Sequence, residues 1–417
     1  KKGVSVLWDT TDNAVSTSTN HERSPFLEAR YNSTNDSEIY HVCERWAGNT
    51  APDRIRLTRS MNHGHAWYES FVLDNSTFEL SAPQINQVAN YYMGVAFVRK
   101  YNPADYDIHF WRPKVTDFNE FTYTYPDNSS GTKDVGPQLA TDYLDFNDYA
   151  YAYIVYFRLG TSPELRFVRS LDAGQNWEDS ESIWLLPNEP THPNSNASIA
   201  YETANNTLWI AFTYPYLGNY RLRVLKSTDY GETWNSVWHG DFSYQISNVS
   251  ITAKNSNEVW IAFNIAFLSS DTIVYYTSNG GSSWTATYLE NSPATQSHYA
   301  KIRYIAGSSY VYCAYWQYPD QVIVQRAPVS TPSAWSSLGN VKNTTNFMTD
   351  DPVAILVSQN PSGTYQGSVS WVHQYSATDY DVYFDAEWLP LATSTKMAVV
   401  PTTDFSSGGQ VGGPFSP

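Results

Sequence analysis

The sequence predicts an all-β chain: a seven-bladed β-propeller of four-stranded antiparallel blades, its ring closed by the N-terminal strand. Three observations predict it. A Ser-x-Asp-x-Gly-x-x-Trp turn recurs between apolar extended runs. Aromatic residues make up 16% of the chain and charged residues only 16%, a balance that suits β-packing better than helices. No run of the 417 residues carries a helical hydrophobic period.

The turn is complete at 227–234, with Asp229, Gly231 and Trp234, and at 170–177, with Asp172, Gly174 and Trp177. It recurs with Asn for Asp at 277–284 (Asn279, Gly281, Trp284) and at 60–67 (Asn62, Gly64, Trp67). A remnant stands at 330–335. The Ser and Asp side chains can accept hydrogen bonds from nearby backbone N–H groups and lock the turn. The glycine can take a positive φ without steric cost. The tryptophan then swings back as a large apolar plug. The copies recur at roughly 50–57 residues or twice that, the period of a repeat architecture. The pattern resembles the Asp-box (BNR) repeat of sialidases and many other secreted β-propellers. The resemblance implies a propeller whose box residues are structural; it does not by itself imply an activity.

The blades follow in order. Blade one takes 25–31, 39–46, 54–59 and a strand after Trp67. Blade two takes 85–90, 94–99, 107–111 and 121–125, its turn having lost the box. Blade three takes 138–143, 150–157, 165–169 and the region of Ile183 and Trp184. Blade four takes 197–202, 208–214, 221–226 and the region of Val237 and Trp238. Blade five takes 248–253, 259–264, 272–277 and 285–289. Blade six takes 300–305, 310–316, 322–326 and a short strand after Trp335. Blade seven takes 352–358, 368–374 and 381–387, then runs out of strands. The orphan strand at 4–8 fills that vacancy beside 381–387, since closing the ring removes free edges. Residues 1–390 are thus the propeller. Residues 391–417 read as a Gly/Ser/Pro-rich linker towards a further module, resembling the lead-in to small Ig-like domains of exported proteins.

A net charge of −16 argues against nucleic acid as a partner. No apolar run is long enough to insert in a membrane. Cys43 and Cys313 read as buried small hydrophobes on blades that are not neighbours. Sequons such as Asn75-Ser76-Thr77 and Asn248-Val249-Ser250 support an exported, glycosylated setting, extracellular or at the cell surface. No metal-ligand spacing is present and no cofactor is expected.

If the boxes share one face, any site lies on the other, at the starts of first strands and between second and third strands. Those loops carry Arg45, Trp46 and Asp53; Arg99, Tyr101 and Asp105; Arg158; Tyr214, Tyr216 and Tyr220; Trp316, Tyr318 and Asp320; His373, Tyr375 and Asp379. Trp46, Tyr101, Arg158, Tyr214, Tyr216, Trp316, Tyr318 and His373 are the ligand-binding candidates, because aromatics beside charged groups suit the C–H faces and hydroxyl rims of sugars. The alternative is that they only cover the blade ends. Arg23-Ser24-Pro25 is similar to the Arg-Ile-Pro that opens sialidases, and Arg45 and Asp53 stand near the places of their Glu-Gly-Arg and acid/base Asp. That resemblance implies Arg23, Arg45 and Asp53 as catalytic candidates, expected to converge near the central opening. Past blade one the match fails: no Glu–Tyr nucleophile pair and no second or third triad arginine is evident. The expectation is a binding or structural module of a surface protein, recognising glycans or another surface protein. The alternative is a glycan-active enzyme, a sialidase-like hydrolase or a polysaccharide lyase.

Overall fold

The computed structural model describes residues 13–14, 21–30, 38–46, 54–64, 66–73, 78–142, 150–186, 196–266, 270–290, 292, 295–319, 321–341, 352–359, 363–376 and 379–387. Every regular element among them is a strand, and none is a helix that could cross a membrane. β1 (Asn13–Ala14) is the first strand among the described residues. An antiparallel unit follows: β2 (His21–Ala29), β3 (Ile39–Trp46), β4 (Arg54–Ser60) and β5 (Tyr68–Leu73). The next holds β6 (Glu79–Ala89), β7 (Tyr92–Asn102), β8 (Asp105–Lys114) and β9 (Asp117–Asp127). Then come β10 (Lys133–Thr141), β11 (Ala152–Leu159), β12 (Glu164–Ser170) and β13 (Glu181–Leu185). Three further units are β14 (Ala197–Glu202) with β15 (Thr207–Tyr216), β16 (Asn219–Ser227) and β17 (Asn235–Phe242); β18 (Ile246–Ala253) with β19 (Val259–Ala266), β20 (Ser270–Thr277) and β21 (Thr285–Glu290); and β22 (Ser297–Arg303) with β23 (Tyr310–Gln317), β24 (Gln321–Pro328) and β25 (Ser336–Asn340).

The last unit is β26 (Val353–Gln359), β27 (Tyr365–Ser376) and β28 (Asp379–Ala386). Its fourth strand is β1, with Asn13 opposite Phe384 and Ala14 opposite Tyr383. The N-terminal segment therefore does lie beside the last strand, but through residues 13–14. Residues 4–8, the strand expected there, lie outside the described residues, as does the 391–417 linker. Both cysteines are buried and free.

Each first strand packs on the next: β2 on β6, β6 on β10, β10 on β14, β14 on β18, β18 on β22, β22 on β26, and β26 on β2. No backbone ladder joins these first strands in the described sheets. Side chains stitch them instead. Ser198 Oγ accepts from Ile251 N at 3.1 Å, Ser250 Oγ from Ile302 N at 3.1 Å and Thr252 Oγ1 from Tyr304 N at 3.0 Å. Thr141 Oγ1 donates to the Gln87 carbonyl at 2.6 Å. Apolar side chains fill the space between sheets: Tyr40, Val42 and Leu57 meet Leu80, Ile85 and Val95, and Ile39 and Cys43 share a core with Val353, Trp371 and Phe384.

Five of the first strands start earlier than the sequence suggests. β2, β6, β10, β18 and β22 each carry a bulge near their start. Ser24 (φ 53°), Ala82 (54°), Gly136 (63°), Asn248 (55°) and Tyr299 (58°) occupy it. Pro25, Pro83 and Pro137 follow the first three. A proline without N–H reads as a strand start; in a bulge the ladder is already interrupted, so the strand runs through it.

The four repeated turns form the same hydrogen bonds. Gly64, Gly174 and Gly231 N donate to Ser60, Ser170 and Ser227 Oγ at 2.9, 2.7 and 2.9 Å, and Gly281 N donates to Thr277 Oγ1 at 3.1 Å. Asn62, Asp172, Asp229 and Asn279 accept through Oδ1 from the backbone N–H four residues on, at 2.7–3.0 Å. These glycines have φ between 82° and 91°. Three of them also lie against a phenylalanine of the preceding sheet's third strand. A Cβ at Gly64, Gly174 or Gly231 would stand 2.1, 2.2 or 2.5 Å from a ring carbon of Phe384, Phe110 or Phe167. The turn tryptophans meet the same rings edge-on: Trp67–Phe384, Trp177–Phe110 and Trp234–Phe167 are each inclined at 71°, with centroids 5.0–5.2 Å apart. Trp67 is buried, whereas Trp177, Trp234 and Trp284 are half-buried.

Gly231→Ala combines a left-handed backbone with a collision against Phe167. The expected cost is about 2–5 kcal/mol, from a left-handed penalty of roughly 1–2 and overpacking of roughly 1–3. Denaturant melts check it; a variant as stable as the parent would show that the joint has slack.

Candidate functional site

The loops between second and third strands lie opposite the repeated turns. On the first unit, Arg23 pairs across to Glu44 and Glu22 to Arg45. Successive residues of a strand face opposite ways, so Arg23 and Arg45 lie on opposite faces of the sheet and do not converge. Glu22, fully buried, takes Arg56 Nη1 at 2.5 Å and Arg45 Nε at 4.0 Å. Glu44 accepts from Ala82 N at 2.7 Å. Burial pushes its carboxyl above the usual range against the pull of Ala82, Ser24 and Arg23. Asp53 and the side chains of Trp46 and His373 lie outside the described residues.

Between the second and third units sits an Arg–Asp network. Arg158 donates through Nε to Asp134 Oδ1 at 2.8 Å and through Nη2 to Asp134 Oδ2 at 2.8 Å and Asp127 Oδ2 at 2.7 Å. Tyr156 OH and Ser180 Oγ also donate to Asp127. Burial pushes Asp127 up, but the bonds from Ser129, Ser180 and Tyr156 and the Arg158 charge outweigh it and hold the carboxyl below its ordinary value. Arg166 is bound to Glu164 and Ser180. Asp107 sits beside this network, 2% exposed, with no hydrogen-bond partner for Oδ1 among the described residues. Burial, then repulsion from Asp105, Asp134 and Asp127, raises it to about 7.

An aromatic ladder covers the other side of the second unit. Tyr101, expected as a contact residue, lies 5.1 Å from Phe78 and 6.0 Å from His109. His109 continues to Tyr123 at 5.5 Å and Tyr125 at 5.0 Å. The fully buried His109 ring is tied through Nδ1 to Tyr123 OH at 2.7 Å and through Nε2 to Tyr101 OH at 3.3 Å. Burial and then Arg99 push it down to about 3, so the ring is a neutral spacer. Phe121 and Tyr125 are 42% and 44% exposed on the outermost strand. The alternation Phe121-Thr122-Tyr123-Thr124-Tyr125 was the available signal; it announces a strand with one aromatic face.

Of the remaining candidates, Tyr214, Tyr216 and Trp316 are covered by neighbouring side chains and Tyr318 is exposed. Tyr216 lies under Arg221 at 3.6 Å, and Arg221 makes two bonds to Asp241 at 2.6 and 2.7 Å. Tyr214 OH accepts from Arg223 Nε at 3.1 Å, and Arg223 stacks on Trp184 at 4.1 Å. Trp316 is buried against His298 at 5.6 Å; Tyr318 beside it is 54% exposed. Among the described residues no group of three or more His, Cys, Asp or Glu side chains could hold a metal ion.

No family profile matches the chain, and no curated protein does. Solved structures do resemble it. A protein of unknown function from Dyadobacter fermentans has a TM-score of 0.54 at 13% identity, covering 90% of this chain and 97% of its own. The polysaccharide lyase Uly1 has a TM-score of 0.53 at 12% identity over 87% and 89% of the two chains. An ulvan lyase of a new polysaccharide lyase family has 0.55 at 8% over 88% and 94%. A Trypanosoma rangeli sialidase in complex with sialic acid has 0.50 at 13%, covering 76% of this chain but only 55% of that one. At these identities the likeness concerns the fold, and it points to a propeller architecture.

Because Asp107 is raised in the folded chain, its ionisation costs stability as pH climbs from about 4, where an unfolded Asp titrates, to about 7. Asp107→Asn should therefore melt higher than the parent at pH 8, with the advantage shrinking towards pH 4. Melts across that range check it; an equal loss of stability at both ends would mean that the carboxylate is held by something favourable.

Proposed function

We propose that the chain is a closed seven-bladed propeller of the Asp-box type, acting outside the cell as a glycan-binding module of a surface or secreted protein. The cyclic packing of first strands, and the use of Phe384 by the first unit's turn, support closure and the count of blades. The observation that carries the binding reading is the aromatic ladder: Tyr101, Tyr123, Tyr125 and Phe121 on one face, with Phe121 and Tyr125 open to solvent. Alternate residues of β9 stand roughly 6.8 Å apart, a spacing over which consecutive sugar rings can lay their C–H faces on successive aromatic rings. Tyrosine hydroxyls at the edges serve the sugar hydroxyls.

A catalytic carboxylate clamp is poorly supported. Arg45 and Arg56 attend Glu22, Arg158 attends Asp127 and Asp134, and Arg221 attends Asp241. With these guanidinium groups engaged by protein carboxylates, fewer of their donors are left for a substrate's. One observation favours an enzyme: a buried carboxyl raised to about 7, as Asp107 is, can serve as a general acid.

A glycan array run beside sialidase and lyase assays separates the readings. Binding without turnover is expected. Tyr125→Ala and Phe121→Ala should each weaken binding by roughly 10-fold, the loss of one stacking contact worth about 0.5–1.5 kcal/mol beyond buried area, with melting temperatures little changed. Turnover that Asp107→Asn abolishes would establish the enzyme instead.

A further inference from the structure

The joint between the last and first units is built differently from the others. On the first unit, Ile39, His41 and Cys43 of β3 face it, since Ile39 and Cys43 share a core with Phe384. Thr58 of β4 stands opposite His41 and shares that face. The last unit answers with three serines. Ser370 stands between Ala354 and Phe384, and Ser368 between Leu356 and Ala386. Both therefore lie on the face that Phe384 turns towards Gly64 and Trp67. Ser358, two residues beyond Leu356, lies there too.

These five polar side chains are at most 3% exposed. Both His41 ring nitrogens and the hydroxyls of Thr58, Ser358, Ser368 and Ser370 have no hydrogen-bond partner among the described residues. No other described His, Ser or Thr is buried in that state. Elsewhere the same residue types hold joints together: Ser198, Ser250 and Thr252 accept backbone N–H groups of the next unit. The buried His109 has both nitrogens occupied. At the last-to-first joint the polar ties stand at the margins. β1 runs beside Phe384, His21 beside Tyr380, and His63 Nδ1 lies 3.1 Å from the Gln359 carbonyl. The middle is polar and unpaired within the protein, which penalises the closed joint relative to one that water can enter.

We propose that the last-to-first joint is where the fold opens, and that acid promotes the opening by giving His41 a proton that only the open joint accepts. The inference goes beyond the glycan reading and does not depend on the aromatic face of β9. The surroundings of His41 set its direction. Arg56 and Arg45 share its face and are engaged by Glu22. Leu27 of β2, Val72 of β5 and Trp67 add no charge. Burial keeps the Cys43 thiol protonated. The described residues that the last unit turns to this face are all uncharged. An imidazolium in the closed joint would thus meet Arg56 and no carboxylate from across it. Burial and then Arg56 push the ring down to about 3, against about 6.5 for an exposed imidazole. A base with a lowered folded value leaves the joint at full stability above about pH 6.5, and that stability is lost as pH falls from there towards 3. One proton taken up on opening raises the open population by up to roughly tenfold per pH unit in that window.

Hydrogen exchange of the whole chain between pH 7 and 5, corrected for the intrinsic rate, tests this at four second strands: β3 and β27 at the joint, β15 and β19 away from it. Opening constants should be larger at β3 and β27. They should rise there roughly 20-fold from pH 7 to pH 5, as one proton taken up at about 6.5 requires, and much less at β15 and β19. His41→Leu should abolish the rise. Ser370→Ala removes one partnerless hydroxyl, so it should lower opening at the joint by roughly fivefold or more at either pH and keep the rise. Should His41→Leu fail to fold, Ser370→Ala and the parent profile decide. Equal protection of all four strands, an undiminished rise in His41→Leu, or unchanged opening in Ser370→Ala would overturn the proposal.

Discussion

The joint between a turn glycine and the neighbouring sheet's phenylalanine sets how these sheets can be arranged. Gly64, Gly174 and Gly231 leave open the volume that Phe384, Phe110 and Phe167 occupy. The Ser/Asp hydrogen bonds fix the turn so that this gap always faces the same way. The tryptophan then covers the ring at a repeated angle. A rigid joint repeated between equal units fixes their rotation. Phe384 belongs to the last unit and Gly64 to the first, so one geometry couples the internal neighbours and the two chain ends alike. Outer strands can then vary: β9 has no box, and its eleven residues are free to carry a different surface.

The inner strands face the opposite problem. They meet without a backbone ladder, so their amides need other acceptors. Glu44 at the end of β3 takes the bulge amide of Ala82, and Asn264 in β19 takes that of Ala300 at 3.0 Å. Both acceptors sit opposite the residue just before a bulge in their own unit. The first and fifth units thus each present a side chain to the irregular backbone of the next. That repays the cost of a left-handed residue without glycine, of the order of 1–2 kcal/mol. It also gives the Ser, Thr and Asn of the first strands a structural use that hydropathy alone would not suggest.

These differences explain what could be read from the chain alone. The turns were legible because all of their chemistry lies within eight residues, and strand order followed from them. The bulges were not, since Ser24, Ala82 and Tyr299 carry no local mark of a positive φ. The Arg–carboxylate sets were invisible for another reason: Arg158 finds Asp127 and Asp134 across a boundary between units, and no spacing encodes that. The loop positions of Tyr214, Tyr216 and Trp316 predict exposure because loops usually lie at the surface, whereas guanidinium groups and neighbouring rings cover much of them. The face on β9 is present in the sequence as an alternation that predicts only a strand, because an aromatic every second residue fits a buried face and a binding face equally well.

Charge decides what such a surface can receive. The chain has 25 Lys and Arg against 41 Asp and Glu, and many of the described arginines are used on carboxylates within or between sheets. Asp117, Glu120, Asp179 and Glu181 are among the exposed acids, so a polyanion approaching them meets repulsion that is strong at low salt and screened over roughly 8–10 Å at physiological ionic strength. A neutral sugar meets none of it, and aromatic stacking on β9 requires no charge.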